Sequence, residues 1–267
     1  MDRLTFNKLR EIVYDHGGIA LREGKEALVS ARVGKRMRAL GIQDHRTYLQ
    51  YVTQDKSGEE VVQLLDAIST NVTNFFRESD HFAFLGNVFS EWLSRGQRRF
   101  RFWSAACSTG EEAYSLAMTL LDTMHGLSVD SRILATDIST RAVEISMTGV
   151  YPKEKIKDVP LSLRARYFDL LGDHAITLYA AKRVLREMIV FKRLNLAGPP
   201  FPMRGPLDAV FCRNVMIYFD NEVRRNLLAE IHRLLRPGGY LMVGHAESLT
   251  GLRSPFKTVK PSIYLKE

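Results

Sequence analysis

The sequence predicts an α/β protein in which a doubly wound sheet follows an all-helical N-terminal domain. Apolar residues recur at helical spacing through residues 1–95, and no strand pattern interrupts them. From residue 100, short apolar runs typical of buried strands alternate with helical stretches. Such alternation is typical of a mostly parallel sheet with helices on both faces. We therefore expect a helical domain at 1–95 and a Rossmann-like domain at 96–267.

The N-terminal part contains four apolar stripes, each of which predicts an amphipathic helix. Gly41 directly follows the second stripe and would end that helix. The fourth helix would join the helical domain to the sheet. The stripes are Phe6, Leu9, Ile12, Val13; Val29, Val33, Met37, Leu40; Val61, Leu64, Leu65, Ile68; and Phe82, Leu85, Phe89, Trp92.

The second part contains six candidate strands separated by helices and loops. One helix spans Glu111 to Met124, and another begins after Asp220 and stops at Pro237-Gly238-Gly239. Residues 160–190 fit the alternation poorly, and Ile176–Tyr179 could form a short strand there, so we expect a small inserted β subdomain. The candidate strands are 100–105, 132–138, 189–194, 207–213, 239–246 and 262–266.

The lack of long apolar segments and the net charge indicate where the protein acts and what kind of partner it binds. No apolar run approaches the ~20 residues of a membrane span, and the N-terminus lacks the apolar core of a signal peptide. We therefore expect a cytoplasmic protein without membrane insertion. The net charge of +8 favours a negatively charged partner, which could be nucleic acid, an anionic membrane or an acidic protein. Cys107 and Cys212 near strand ends are expected to be space-filling thiols, and we expect no metal site.

The end of the first strand is the most informative segment of the chain. Trp103-Ser104-Ala105-Ala106-Cys107-Ser108-Thr109-Gly110-Glu111 runs from a strand through small residues into a helix. Small residues let a ligand approach the backbone, but a single glycine argues against the G-x-G-x-x-G loop that receives a diphosphate. Glu111 could hold a cationic group, whereas we interpret Glu112 as a residue that only favours the helix N-terminus.

Asp137 ends the second strand, about where a ribose would lie in this fold. A single carboxylate can accept hydrogen bonds from both ribose hydroxyls. Together with Glu111 it predicts a site for a positively charged nucleoside such as S-adenosylmethionine. Arg213 and Asn214 follow the fourth strand and would lie beside the transferred group, with Tyr218 in reach. Tyr218 could instead be an aromatic packed at a helix start.

Five further motifs occur in one order with this segment and make a family resemblance specific. The chain resembles the bacterial chemotaxis receptor glutamate O-methyltransferases of the CheR type over almost its whole length. Cys107 stands where that family often has alanine. The motifs are Asn71-x-Thr73-x-Phe75-Phe76-Arg77; Trp103 to Ser115; Ala135-Thr136-Asp137-Ile138; Asn195-Leu196; Phe211-Cys212-Arg213-Asn214-Val215-Met216-Ile217-Tyr218-Phe219; and Leu235-Arg236-Pro237-Gly238-Gly239.

The resemblance implies methyl transfer from S-adenosylmethionine to glutamate side chains of methyl-accepting chemoreceptors for sensory adaptation, leaving S-adenosylhomocysteine. Tyr218 and Arg77 are the candidates for orienting the substrate carboxylate, with Arg213 as the alternative to Arg77. Cofactor contacts are implied at Asn71, Thr73, Arg77, Glu111, Asp137, Asn195, Leu196, Arg213 and Asn214.

The second predicted helix has a basic side that could dock a protein substrate. Arg32, Lys35, Arg36 and Arg38 fall opposite the apolar stripe, and the acidic methylation helices of a receptor would suit them. The alternative is that the same residues only form a solvated face. We expect a monomer with no nucleic-acid partner.

Two other functions are compatible with parts of the pattern. A nucleic-acid methyltransferase would suit the charge, but the fourth strand lacks an Asn/Asp-Pro-Pro-aromatic motif and a Pro-Cys nucleophile. A catalytically silent module that senses S-adenosylmethionine or a nucleotide would need only the cofactor motifs, and methyl transfer distinguishes it from an enzyme.

Overall fold

The computed structural model describes residues 1–172, 177–252 and 254–267. Five helices precede the first strand, one more than the apolar stripes predict. The additional helix is α3, whose sequence is mostly polar and which buries only Tyr48 and Val52. The five are α1 (Arg3–Gly17), α2 (Glu26–Leu40), α3 (His45–Gln54), α4 (Glu59–Ile68) and α5 (Asp80–Ser94).

The ends of α1 are fixed by local capping, and the second end also approaches the sheet. The Asp2 carboxylate accepts a hydrogen bond from the Thr5 N–H at 3.0 Å and caps the start. Gly18 ends the helix with φ of 67°. A Cβ on Gly18 would lie 2.2 Å from the Ala197 Cβ, so glycine permits both the left-handed turn and the close approach to the 195–197 loop.

The main sheet has seven strands in the order β6-β2-β1-β7-β8-β10-β9. The pairs that join β6, β2, β1, β7 and β8 are parallel, and β10 and β9 add an antiparallel edge. This confirms the doubly wound α/β class. The strands are β1 (Arg99–Ser104), β2 (Asp130–Asp137), β6 (Ile189–Arg193), β7 (Leu207–Cys212), β8 (Leu235–Val243), β9 (Lys257–Lys260) and β10 (Ile263–Leu265).

Helices cover both faces of the sheet, and each face has its own apolar cluster. On one face, α5 packs with α6 (Glu111–Met124), and the Phe89 and Phe100 rings lie 4.7 Å apart. On the other face, α11 (Asn221–Leu234) buries Leu227 and Ile231. A third cluster unites α1 to α4, and Tyr218 packs against it from the sheet domain. Among the described residues, none of the helices combines the length and apolar character that crossing a bilayer requires.

A small antiparallel sheet, in the order β3-β5-β4, is inserted between β2 and β6. It confirms the expected inserted subdomain, although it begins earlier, with β3. Ile176 of the predicted strand lies outside the described residues, and the strand there is Leu178–Ala181. The elements between β2 and β6 are α7 (Thr140–Thr148), β3 (Val150–Pro152), α8 (Lys153–Ile156), α9 (Leu161–Tyr167), β4 (Phe168–Leu171), β5 (Leu178–Ala181) and α10 (Arg183–Arg186).

The topology brings three strand ends together at one edge of the sheet. Ser104 of β1 is paired with Ala135 of β2 on one side and with Phe211 of β7 on the other. The chain segments that follow these strands therefore face one crevice, which is where ligands bind in sheets of this kind.

Candidate cofactor and active site

A cavity of about 210 Å³ occupies this crevice. Its walls come from the 69–77 loop, the end of β1, the end of β2, the 194–196 segment and the chain after β7. It gathers residues that the sequence places far apart, and eight of the nine predicted cofactor contacts line it together with Tyr218. Those eight are Asn71, Thr73, Arg77, Asp137, Asn195, Leu196, Arg213 and Asn214.

Asp137 presents a fixed carboxylate to this cavity from the end of β2. Its Oδ2 accepts a hydrogen bond from the Ser108 N–H at 2.8 Å, and its Oδ1 accepts one from the Ser139 N–H at 2.9 Å. Only 7% of the residue is exposed, and this burial raises the pKa of its carboxyl although the two N–H groups act in the opposite direction. The geometry provides an oriented acceptor that still has lone pairs for ligand hydroxyls.

Glu111, the ninth predicted contact, does not line the cavity, and that expectation is wrong. Its side chain is fully buried, with Oε1 3.0 Å from the Lys155 Nζ and Oε2 accepting the Thr109 hydroxyl at 2.6 Å. Successive residues of a helix point about 100° apart, so only one of two adjacent glutamates can face the crevice. That residue is Glu112.

Glu112 is the cavity carboxylate that sequence reasoning assigned to a helix start alone. It accepts a hydrogen bond from the Ser104 hydroxyl at 2.7 Å and lies 3.2 Å from an Arg213 nitrogen. Burial raises the pKa of Glu112, and the charge of Arg213 opposes that effect. A carboxylate held this way can accept a ligand ammonium.

Arg213 is a buried part of the cavity wall that links three segments of the chain. Its side chain is 1% exposed and reaches Glu78 at 3.0 Å as well as Glu112. It also donates to the Arg77 carbonyl, so it ties the 69–77 loop to the end of β7. Burial by itself would raise the pKa of Glu78, but the charge and hydrogen bonds of Arg213 bring it below the usual value. Apart from its position next to the motif residue Arg77, nothing in the sequence marks Glu78 as part of the site.

Two asparagines hold the remaining walls in place through backbone contacts. Asn214 adopts a left-handed conformation with φ of 57°, and its N–H donates to the Glu247 Oε2 at 2.6 Å. The Asn195 amide donates to the His16 carbonyl at 2.8 Å and so joins the cavity to the end of α1. The Asn214 backbone N–H and the Asn195 side chain thus set the relative positions of loops that come from distant parts of the chain.

The 69–77 loop forms one wall of the cavity and is anchored by contacts with two other parts of the chain. The Phe76 N–H donates to the Ser115 hydroxyl at 2.9 Å, and the buried Phe75 ring meets the Tyr151 ring edge-on at 4.9 Å. The Lys155 Nζ donates to the Thr73 carbonyl at 2.8 Å. Arg77 is exposed and donates to the Val72 carbonyl at 3.1 Å. The loop is therefore positioned by α6 and by the inserted subdomain.

Tyr218 ends a short 3₁₀ helix, Met216–Tyr218, on the wall of the same cavity. Its carbonyl accepts a hydrogen bond from the Ala20 N–H at 2.8 Å, which fixes it against the N-terminal helices. The structure thus brings Tyr218 and Arg77, the two candidates for orienting the substrate carboxylate, to one cavity.

The basic side of α2 is only partly available for docking, because Arg32 and Arg36 are hydrogen-bonded within the helical region. The Arg36 guanidinium donates to Glu60 at 2.6 Å, and the Tyr48 hydroxyl donates to the same buried carboxylate at 2.8 Å. Arg32 donates to the Ile68 carbonyl and to the Thr70 hydroxyl. The expectation that these two arginines are free for docking is wrong, because the buried carboxylate and the end of α4 need their donors.

Lys35 and Arg38 remain exposed on that side of α2. The spacing of basic residues along one helix cannot distinguish them from their neighbours, because the difference lies in what α4 places opposite each one.

The fold and this cavity define a class of protein. A doubly wound sheet with two acceptor carboxylates at its carboxyl edge, and without a glycine-rich diphosphate loop, suits a nucleoside carrying a cationic tail. That is the arrangement of S-adenosylmethionine-dependent methyltransferases.

The chain belongs to the CheR methyltransferase family. Residues 4–69 match the family's all-alpha domain, and residues 71–265 match its SAM binding domain. It is 36% identical over 267 residues to a chemotaxis protein methyltransferase of Borreliella burgdorferi, with 97% of this chain and 93% of that protein covered. It is 35% identical over 260 residues to the chemotaxis protein methyltransferase of Escherichia coli, with 97% and 89% covered.

Proposed function

We propose that the protein transfers a methyl group from S-adenosylmethionine to glutamate side chains of methyl-accepting chemotaxis receptors in the cytoplasm. One observation supports this most: a single cavity combines two acceptor carboxylates, Asp137 and Glu112, with the donors Arg77 and Tyr218. The carboxylates suit the cofactor, and the donors suit an anionic substrate group. The chemotaxis methyltransferases to which the chain is similar agree with this assignment.

Different residues of the cavity would bind different parts of the cofactor. Asp137 would accept the ribose hydroxyls, Glu112 would accept the ammonium, and the 69–77 loop would cover the ligand. When bound, the cofactor supplies an electrophilic methyl group on a positively charged sulfonium. The positive charge of the sulfonium disappears when the methyl group is transferred, so strong stabilisation of that charge would slow the reaction. Holding the ligand by its two ends avoids such stabilisation.

The substrate glutamate needs orientation rather than activation. Its carboxylate is already ionised at neutral pH, with a reference pKa near ~4.3, so no general base is required. What the chain must supply is exclusion of water and alignment of one carboxylate oxygen. Tyr218 and Arg77 are the donors for this task. Arg213 is the weaker choice because Glu78 and Glu112 already occupy its guanidinium.

Receptor docking is assigned to the helical region, residues 1–95. Lys35 and Arg38 are the exposed part of the basic side of α2, and the acidic methylation helices of a receptor would complement them. The protein would act as a monomer.

The test is transfer of labelled methyl from S-adenosylmethionine to receptor-bearing membranes by the full chain. A base-labile label on receptor protein identifies a carboxyl ester and supports the proposal. A base-stable label, or label in added nucleic acid but not in receptor, would refute it. Cofactor binding without any transfer would favour a sensing module.

A further inference from the structure

Glu78, His81 and His245 bring three side chains that can bind a metal together behind the cavity wall. Their ligand atoms all lie within 4.8 Å of one another. His81 stands at the start of α5, and His245 follows β8. The Glu78 carboxylate lies 3.7 Å from the His81 Nδ1. The methyl transfer outlined above gives no task to either histidine.

His81 is the unusual member of the cluster. Its side chain is fully buried, yet neither ring nitrogen has a hydrogen-bond partner in the part of the chain that the structure describes. Buried polar side chains nearly always have a partner, so an unpaired one calls for an explanation. A neutral imidazole with a free lone pair is the form in which histidine binds metals.

His245 is the solvent-exposed member of the cluster. Its side chain is 51% exposed, and its Nε2 lies 3.2 Å from the Asp80 carboxylate. The His81 and His245 rings meet edge-on with centroids 5.1 Å apart. A carboxylate on one nitrogen of an imidazole orients the ring and makes the other nitrogen a better metal ligand. Asp80 is placed for that role.

We propose that Glu78, His81 and His245 bind a divalent transition-metal ion of the zinc type. Two imidazole nitrogens and one carboxylate oxygen are a donor set that suits Zn²⁺. Ligand atoms about 2.0–2.1 Å from a tetrahedral zinc are roughly 3.4 Å apart, so the cluster must contract modestly. The exposed His245 and a rotation of the Glu78 carboxylate provide that movement.

Binding at this cluster would oppose cofactor binding. Glu78 now pairs with Arg213, which has Glu112 as a second partner at 3.2 Å. A metal that takes Glu78 leaves Arg213 to pair with Glu112, the carboxylate assigned to the cofactor ammonium. The coupling is reciprocal, so cofactor would weaken metal binding by the same factor.

The first experiment titrates Zn²⁺ into the full chain by calorimetry, with Co²⁺ absorption as a report of nitrogen ligands. We expect one ion per chain and an affinity at least ~10-fold weaker in His245→Ala, since even losing an outer partner of a metal ligand costs that much. His245 is chosen because it is exposed. His125→Asn is the matched control, because His125 is exposed and left-handed with φ of 46°, which asparagine tolerates.

The second experiment measures affinity for S-adenosylhomocysteine with and without Zn²⁺. Zinc should weaken the affinity for S-adenosylhomocysteine in the wild type and in His125→Asn. It should leave that affinity unchanged in His245→Ala. Absence of zinc binding, or binding that survives His245→Ala, overturns the site. Equal cofactor affinity with and without zinc overturns the coupling. Neither readout involves a receptor, so failure here is separate from failure of the proposed substrate.

Discussion

The adjacent glutamates at the start of α6 offer a direct test of how the cavity holds its cofactor. Glu112→Gln preserves the shape of the side chain and can still accept the Ser104 hydroxyl. It removes the negative charge that we assign to the cofactor ammonium. Glu111→Gln is the matched control, because Glu111 precedes it directly and pairs with Lys155 instead.

The size of the effect follows from the contacts of Glu112. A hydrogen bond to a charged group contributes roughly 1.5–3 kcal/mol, or about 10- to 150-fold in affinity. Arg213 at 3.2 Å already neutralises part of the Glu112 charge, which favours the lower end of that range. We expect Glu112→Gln to bind S-adenosylhomocysteine about tenfold more weakly and Glu111→Gln to change affinity by less than about threefold.

Calorimetric titration of S-adenosylhomocysteine into both variants gives the comparison, with thermal unfolding as the control for folding. A pH series adds a second readout. Because burial raises the pKa of Glu112, wild-type affinity should fall as the pH is lowered through that raised pKa, and Glu112→Gln should lose this component. If Glu112→Gln binds as tightly as wild type, or Glu111→Gln is the weaker binder, the assignment of the ammonium site is wrong.

Three further predictions test other parts of the structure. Asp137→Ala should bind S-adenosylhomocysteine at least ~10-fold more weakly by calorimetry, since it deletes an acceptor of charge-assisted hydrogen bonds; equal affinity would disprove the ribose assignment. Tyr218→Phe should keep cofactor affinity and lose turnover mainly through kcat, and a wild-type rate on receptor would show that the tyrosine only packs. Arg36→Glu should destabilise the helical region by about 3–5 kcal/mol in urea unfolding, because Glu60 is left buried beside a like charge, whereas Arg38→Glu should not; equal midpoints would contradict this.

Much of the fold could be predicted because its elements bury regular apolar patterns. β7 is buried at every residue and was predicted within one residue of its observed end. β9 was missed because its sequence, Lys257–Lys260, is polar and every residue is exposed at the sheet edge. α3 was missed because two buried residues do not make a stripe. Elements whose stability comes from pairing or capping rather than from burial leave little trace in the sequence.

The sequence predicts most of the residues that line the site, but it does not predict which groups their side chains contact. Asp137 and Tyr218 line the cavity, as expected. Which of two neighbouring glutamates faces it depends on the exact rotation of α6, which adjacency in the sequence does not determine. Arg36 was expected to be free because its partner Glu60 lies on another helix. The rotation of one helix decides the first case, and a contact between two distant segments decides the second.

Lys155 has a consequence for the rate at which ligand is exchanged. One ammonium group holds the Thr73 carbonyl of the 69–77 loop and the buried carboxylate of Glu111. The loop lifts away only if this hydrogen bond breaks or α8 moves with the loop, so a product that leaves past the loop must wait for one of these two events. Turnover is then sensitive to the stiffness of a subdomain whose described residues, 140–172 and 177–186, do not line the cavity.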